Sequence, residues 1–185
     1  MFEELLSEGE RRMHRAVDDL KRDLNTVRTG RASPSILDNV LVEYYGAQTP
    51  LQGLAQISVA DPRLLVIQPY DRSAIGAIEK AIQKSDLGLN PANDGQVIRL
   101  AIPPLTEQRR KELARQVHKM VEEHKVAVRN CRRDVHDKLR ALEKEKAASA
   151  DEIKRAQERL QKITDRVIAE LETVGEHKEQ EIMAV

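Results

Sequence analysis

The hydrophobic positions of this 185-residue chain repeat with two different periods. From residue 1 to 28, Leu6, Met13, Val17, Leu20, Leu24 and Val27 alternate by threes and fours, and Glu10 fills the one gap. That spacing predicts a helix with one apolar stripe, which becomes stable by burial against other helices. The helix is expected to end in "RTGRASPS", where Gly30 and Pro34 interrupt it. The helical period returns at Thr106 and continues to about Lys146, a rod of roughly 60 Å. "SADE", Ser149 to Glu152, is a capping box that opens a third helix, with Ile153, Ala156, Leu160, Ile163, Val167, Leu171 and Val174 as its stripe.

Between 31 and 104 the texture changes. "ILDNVLVEYYG", "AQISVADPRLLVIQPY" and "GQVIRLAI" are β-rich runs bounded by turn residues. Ser73 to Ser85 reads as a helix with Ile75, Ile78 and Ile82 on one face, and Gly88 is placed to cap its end. All seven prolines and six of the eight glycines lie between positions 30 and 104, which sets this segment apart from the helices around it. The expected fold is α+β with two domains. Residues 1–30 and 105–185 form a long up-down-up three-helix bundle, and 31–104 an inserted small β/α/β domain. Two stretches of chain join them, Thr29-Gly30-Arg31 outward and Pro103-Pro104-Leu105 on the return, and these are the candidate hinge.

Charge adds what periodicity cannot. The totals balance, 31 basic against 31 acidic residues, yet residues 109–140 hold eleven Lys or Arg against five Asp or Glu. On a wheel of about 100° per residue centred on Cys131, Leu113, Val117, Met120, His124, Ala127, Val135 and Leu142 form the apolar side. Lys111, Arg115, His118, Lys125, Arg129, Arg132, Arg133, His136 and Arg140 form a basic stripe interrupted only by Glu122. Cys131 then reads as a small buried hydrophobe and His124 as a core histidine. Arginine grips phosphate with a planar fork, so the stripe points towards RNA, although a solvated face of ion pairs remains open. Four aromatic residues are too few for a single-strand stacking platform. The chain has no glycine-rich phosphate loop, no metal-ligand spacing and no catalytic triad, which argues against an enzyme.

No apolar run approaches the roughly 20 residues that span a bilayer, and the first residues carry no signal-peptide core. A cytoplasmic location is expected, and a single cysteine suits a reducing compartment.

Five motifs in order, "VRTGRASPSILD", "VEYYG", "LGLNP", "IPPLTEQRRKEL" and "VAVRNCRRD", resemble bacterial ribosome recycling factors over essentially the whole chain. The resemblance implies an L-shaped monomer that binds the large ribosomal subunit and its RNA. With elongation factor G and GTP it would split the post-termination ribosome, releasing mRNA and deacylated tRNA. It implies that Arg132 is the central RNA contact, assisted by Arg129, Arg133, Arg110 and Arg28, with Lys125 on the same stripe. No cofactor is expected, since GTP is used by the partner. A helical adaptor showing its basic face to an acidic protein, and a free-RNA chaperone, are the competing readings.

Overall fold

A computed structural model describes residues 2–27 and 29–184. The chain divides into two compact units, one made of its two ends up to position 28 and from Glu107 on, the other of Thr29–Thr106. The second unit is two residues longer at each junction than the periodicity suggests, because Leu105 packs back on Gly30.

The first unit is three helices, α1 (Phe2–Leu24), α3 (Glu107–Lys144) and α4 (Ala150–Met183). The stripe on α1 is buried as expected, with Ala16 and Gly9 added to it. The helix itself ends at Leu24, short of the predicted stop. Asn25, Thr26 and Val27 tighten into a turn in which the Thr26 hydroxyl donates to the Asp23 carbonyl at 2.6 Å. A β-branched pair after Asn favours that local bond over another helical turn.

On α3 the buried positions are Leu113, Val117, Val121, Val128, Cys131, Val135 and Leu139. Ala127, expected on the apolar side, is exposed, and Met120 and Leu142 are only partly buried. On a wheel of about 100° per residue these positions span an arc with Leu113 and Cys131 at one edge and Val121 and Leu139 at the other. Cys131, on which the wheel is centred, therefore lies at one edge of the seam, so Val128 falls inside it and Ala127 outside.

Two glycines set how closely the helices approach. A Cβ on Gly9 would lie 2.7 Å from Val135 Cγ2, and one on Gly175 would lie 2.5 Å from Val121 Cγ2. Gly175 takes the buried place that the sequence assigned to Val174, which is half-buried. Thr164 is buried on α4, where its hydroxyl donates to the Leu160 carbonyl at 2.8 Å. The α3–α4 turn is a Schellman motif with Lys146 at φ 57 in the left-handed position. The Ala147 amide reaches the Leu142 carbonyl and the Lys146 amide that of Glu143, both at 3.0 Å. Ser149 then caps α4 by accepting from the Glu152 amide at 3.2 Å.

The second unit contains β1 (Leu41–Tyr44), β2 (Ala47–Pro50), β3 (Ala55–Asp61), β4 (Leu64–Pro69), α2 (Ile75–Lys84), β5 (Pro91–Asn93) and β6 (Ile98–Ala101). β1 and β2 form a separate hairpin, while the other strands make an antiparallel sheet in the order β3-β4-β6-β5. Leu65 faces Leu100 and Ile67 faces Ile98 across β4 and β6, and all four are buried. Ile75, Ile78 and Ile82 of α2 belong to the same core. Gly88 does not cap α2: Ser85 does, through its amide on the Ala81 and Ile82 carbonyls, and Gly88 at φ +65 turns the chain three residues later. No described helix is long and apolar enough to cross a membrane.

The Gly175 contact yields a test. Alanine in a helix normally gains about 1 kcal/mol over glycine, but here its methyl must displace a stiff β-branched side chain, an overpacking cost of about 1–3 kcal/mol. Gly175→Ala should therefore lower stability in denaturant unfolding, and adding Val121→Ala should make the alanine at 175 neutral or favourable.

Candidate nucleic-acid interface

Packing the seam of α3 between α1 and α4 leaves the opposite side of α3 to solvent. Arg129 and Arg133 are exposed there, and Arg132 is half-buried against the bundle. The three fall within five consecutive residues of one helix, so their guanidinium groups emerge within about one turn of each other. Arg115 and Arg140 continue the exposed stripe along the helix in both directions.

Of the acids close to this cluster, Asp134 is engaged by another helix, while Asp137, one turn beyond Arg133, is exposed and makes no ion pair among the described residues. Asp134, next to Arg133 in the chain, pairs with Arg12 of α1 at 3.1 Å. Glu112 holds Arg109 at 3.1 Å and Glu107 holds Lys111 at 3.5 Å. Among the described residues, no carboxylate lies within ion-pair distance of Arg110, Arg129, Arg132 or Arg133. A helix face of uncompensated arginines has donors free for phosphate oxygens, in bidentate geometry where two converge.

Lys125 departs from the expectation for it. Its ammonium sits between Glu172 of α4 at 2.8 Å and Glu122 at 3.1 Å, with its side chain only 11% exposed. Hydrogen bonding to Glu172, and then to Glu122, raises its pKa above the usual lysine value, and the bond from Lys125 holds Glu122 below the usual carboxylate range. Lys125 thus fastens α3 to α4 and has little left to offer a phosphate. Glu122 three residues earlier was the signal visible in sequence; Glu172, 47 residues away, was not.

The other predicted contacts are dispersed. Arg110 is half-buried in the first turn of α3, some 33 Å along the axis from Arg132. Arg28 lies outside the described residues. Cys131 is buried and free, on the seam rather than beside the exposed guanidiniums. His124 is a packed histidine whose Nδ1 donates to the Met120 carbonyl at 2.6 Å, while Nε2 faces Asp23 of α1 at 3.2 Å.

The candidate hinge residues bracket two anchoring bonds in the second unit. The Ala32 amide donates to the Pro62 carbonyl at 2.7 Å, and the Ile102 amide to the Arg63 carbonyl at 2.8 Å. Both connecting segments are therefore pinned to the same β3–β4 turn. Thr29, Gly30 and Arg31 lie just outside one anchor and Pro103, Pro104 and Leu105 just outside the other. Gly30 is left-handed at φ +74, and its Cα faces the Leu105 side chain closely enough that a Cβ would come within 3.1 Å of it.

Comparison with known proteins bears on this arrangement. A family model described as "Ribosome recycling factor" matches residues 20–183. The ribosome-recycling factors of Shouchella clausii and Bacillus subtilis are each 54% identical to the chain over 185 residues, all of both proteins. That of Chloroflexus aurantiacus is 55% identical over the same span. Among solved structures, a solution structure of a ribosome recycling factor matches with TM-score 0.75 at 46% identity, covering 100% of this chain and 98% of that one. A T. thermophilus ribosome recycling factor, described with E. coli elongation factor G on the E. coli post-termination complex, matches with TM-score 0.65 at 49% identity and full coverage of both chains.

Because Lys125 is engaged by two carboxylates, Lys125→Met should cost the bundle about 1 kcal/mol or less in chemical unfolding. The same variant should bind RNA with nearly unaltered affinity; a large loss of affinity in an intact bundle would return Lys125 to the interface.

Proposed function

The chain belongs to the ribosome recycling factor family, and on that premise we propose that it binds the large subunit of the post-termination ribosome through the arginine face of α3. With elongation factor G and GTP it then separates the subunits, freeing mRNA and deacylated tRNA. The observation that supports this most directly is the group Arg129, Arg132 and Arg133, which carries no ion pair among the described residues and is continued along the helix by the exposed, unpaired Arg115 and Arg140. Structured RNA is read mainly through its backbone and shape, so such a face needs neither base-reading side chains nor a row of aromatics.

Arg132 is the central contact in this reading. It is half-buried, and therefore pre-positioned, so less side-chain freedom is lost when a phosphate is bound. Arg129 and Arg133 flank it, Arg110 makes a separate contact near the start of α3, and Arg28 adds to the family set. Lys125 is left out because its charge is spent within the bundle. The protein works as a cytoplasmic monomer and is not itself an enzyme; the nucleotide is hydrolysed by the partner.

Splitting requires that force delivered by the partner be turned into displacement. We assign the compliance to Thr29, Gly30 and Arg31 on the outgoing connection and Pro103, Pro104 and Leu105 on the return. Glycine at positive φ permits rotation that other residues resist, while two consecutive prolines restrict the second strand.

Two measurements separate binding from work. Arg132→Ala should weaken co-sedimentation with large subunits by about ten- to a hundredfold and lower the salt dependence of binding by about one unit of slope, with helical circular dichroism unaltered. An Arg132→Ala protein that sediments and splits ribosomes normally would remove Arg132 from the interface. Gly30→Val should leave large-subunit binding within about twofold but slow subunit splitting by about tenfold or more in a light-scattering assay. Unaltered splitting would show that rotation at Gly30 is not needed.

A further inference from the structure

Of the eight glycines in the chain, Gly95 alone follows an aspartate or asparagine. An Asp-Gly bond is chemically labile, because glycine has no side chain to shield its amide nitrogen from the neighbouring carboxyl carbon. The fold nevertheless requires both residues here. Asn93 of β5 pairs with Ile98 of β6, and the Asp94 amide donates to the Val97 carbonyl at 3.2 Å, so Gly95 and Gln96 make the turn. Gly95 stands at φ +88, a conformation that side chains resist. Asp94 Oδ1 accepts from the Gln96 and Val97 amides, both at 2.9 Å, and so orders the loop.

Folding restrains the reactivity that these two residues create. Closure of a succinimide ring joins Gly95 N to Asp94 Cγ and breaks one carboxyl C–O bond. The oxygen leaves as water, taking the amide proton and the acid proton. The protonated acid is therefore the reactive form, since a carboxylate has no hydroxyl to lose. Arg99 of β6 holds Asp94 Oδ2 at 2.9 Å while the two amides occupy Oδ1, an arrangement that favours the ionised form. The bonds from Val97, Gln96 and Arg99, in that order, bring the Asp94 carboxyl down to about 2. The nucleophile is held too: the Gly95 amide donates to Asn93 Oδ1 at 3.1 Å, and Asn93 Nδ2 is bonded in turn to Glu79 of α2. Burial and crowding contribute nothing, since the Asp94 side chain is 43% exposed and a Cβ on Gly95 would meet no atom within 4 Å. Hydrogen bonding alone protects this bond.

We propose that Asp94–Gly95 is a latent isomerisation site, kept closed by the folded β5–β6 turn and opened when the Arg99–Asp94 link or the hairpin is lost. Water that opens the succinimide at the former side-chain carboxyl restores aspartate. Water that opens it at the Asp94 backbone carbonyl leaves isoaspartate, with no net change of mass. Isoaspartate inserts a methylene into the main chain between β5 and β6. That insertion disturbs the register in which Asn93 faces Ile98 and Ile98 faces Ile67 in the core, so a molecule that reacts while unfolded loses its route back to the native small unit.

The test needs neither RNA nor ribosomes. Full-length protein, its variants and a synthetic peptide of residues 90–99 are aged in neutral buffer below the melting temperature. Isoaspartate is measured with a carboxyl methyltransferase specific for it and placed by peptide mapping. The folded protein should form isoaspartate at Asp94 at least about tenfold more slowly than the peptide. Arg99→Ala should react about three- to tenfold faster than the parent protein with circular dichroism unaltered, and Arg99→Lys should stay close to the parent. Asn93→Ala, which frees the Gly95 amide, should also react faster, and Asp94→Ala should remove the signal. Equal rates in folded protein and peptide, an unchanged rate in both Arg99→Ala and Asn93→Ala, or isoaspartate arising first at another residue of the unfolded chain would each overturn the proposal.

Discussion

The rotation of α3 about its own axis is the constraint on which the functional surface depends. Val117, Val121, Val128, Cys131, Val135 and Leu139 must face the other two helices, and the two glycine contacts leave little freedom in how they do so. Gly9 receives Val135 from one side and Gly175 receives Val121 from the other, so α3 is gripped near both ends of its buried stretch. A turn of α3 by one residue would place charged side chains in the seam, at a desolvation cost of several kcal/mol each. With the seam fixed, the outward direction of Arg129, Arg132 and Arg133 is fixed as well.

Electrostatics within the bundle then sort the charges by use. Arg12–Asp134 and His124–Asp23 link α1 to α3, Lys125–Glu172 links α3 to α4, and Glu3–Arg159 links α1 to α4. The solvent-exposed members of this set stabilise the bundle little, so their larger consequence is elsewhere. By drawing Asp134 towards α1 and Glu122 towards Lys125, they leave the central arginines without an ion pair, although Glu122 still feels the charge of Arg129. The balanced net charge of the chain hides this arrangement, because attraction to a polyanion depends on the local distribution of charge as well as on the total.

Much of the architecture could be read from the sequence, and the departures have specific causes. The three helical stripes and the Ser149 cap follow from local periodicity and local hydrogen bonding, which sequence carries directly. The seam of α3 was misplaced at Ala127 and Val128 because its centre is set by the helices packed on it, and Cys131 lies at its edge. The short strand β5, Pro91–Asn93, has neither alternation nor β-branched residues; its pairing with β6 makes it a strand. Gly88 looked like a helix cap because glycine tolerates positive φ in any turn. The basic stripe was visible, but whether a member is free or spent, as with Lys125, depends on a carboxylate from another helix.

A rigid charged helix binds without changing, so any work done on a bound RNA must pass through a compliant part of the chain. The two anchoring bonds, Ala32 to Pro62 and Ile102 to Arg63, place both connecting segments on one turn of the small unit. Had the anchors been far apart, rotation about one connection would have stretched the other. In the proposed hinge, neighbouring anchors would let both segments be displaced together from one turn of the small unit. The residues fit that division: Gly30 supplies a backbone with access to both signs of φ, and Pro103-Pro104 hold the return segment extended. In the proposed mechanism the arginine face therefore determines where the protein holds, and the paired connections determine the direction in which a push can be used.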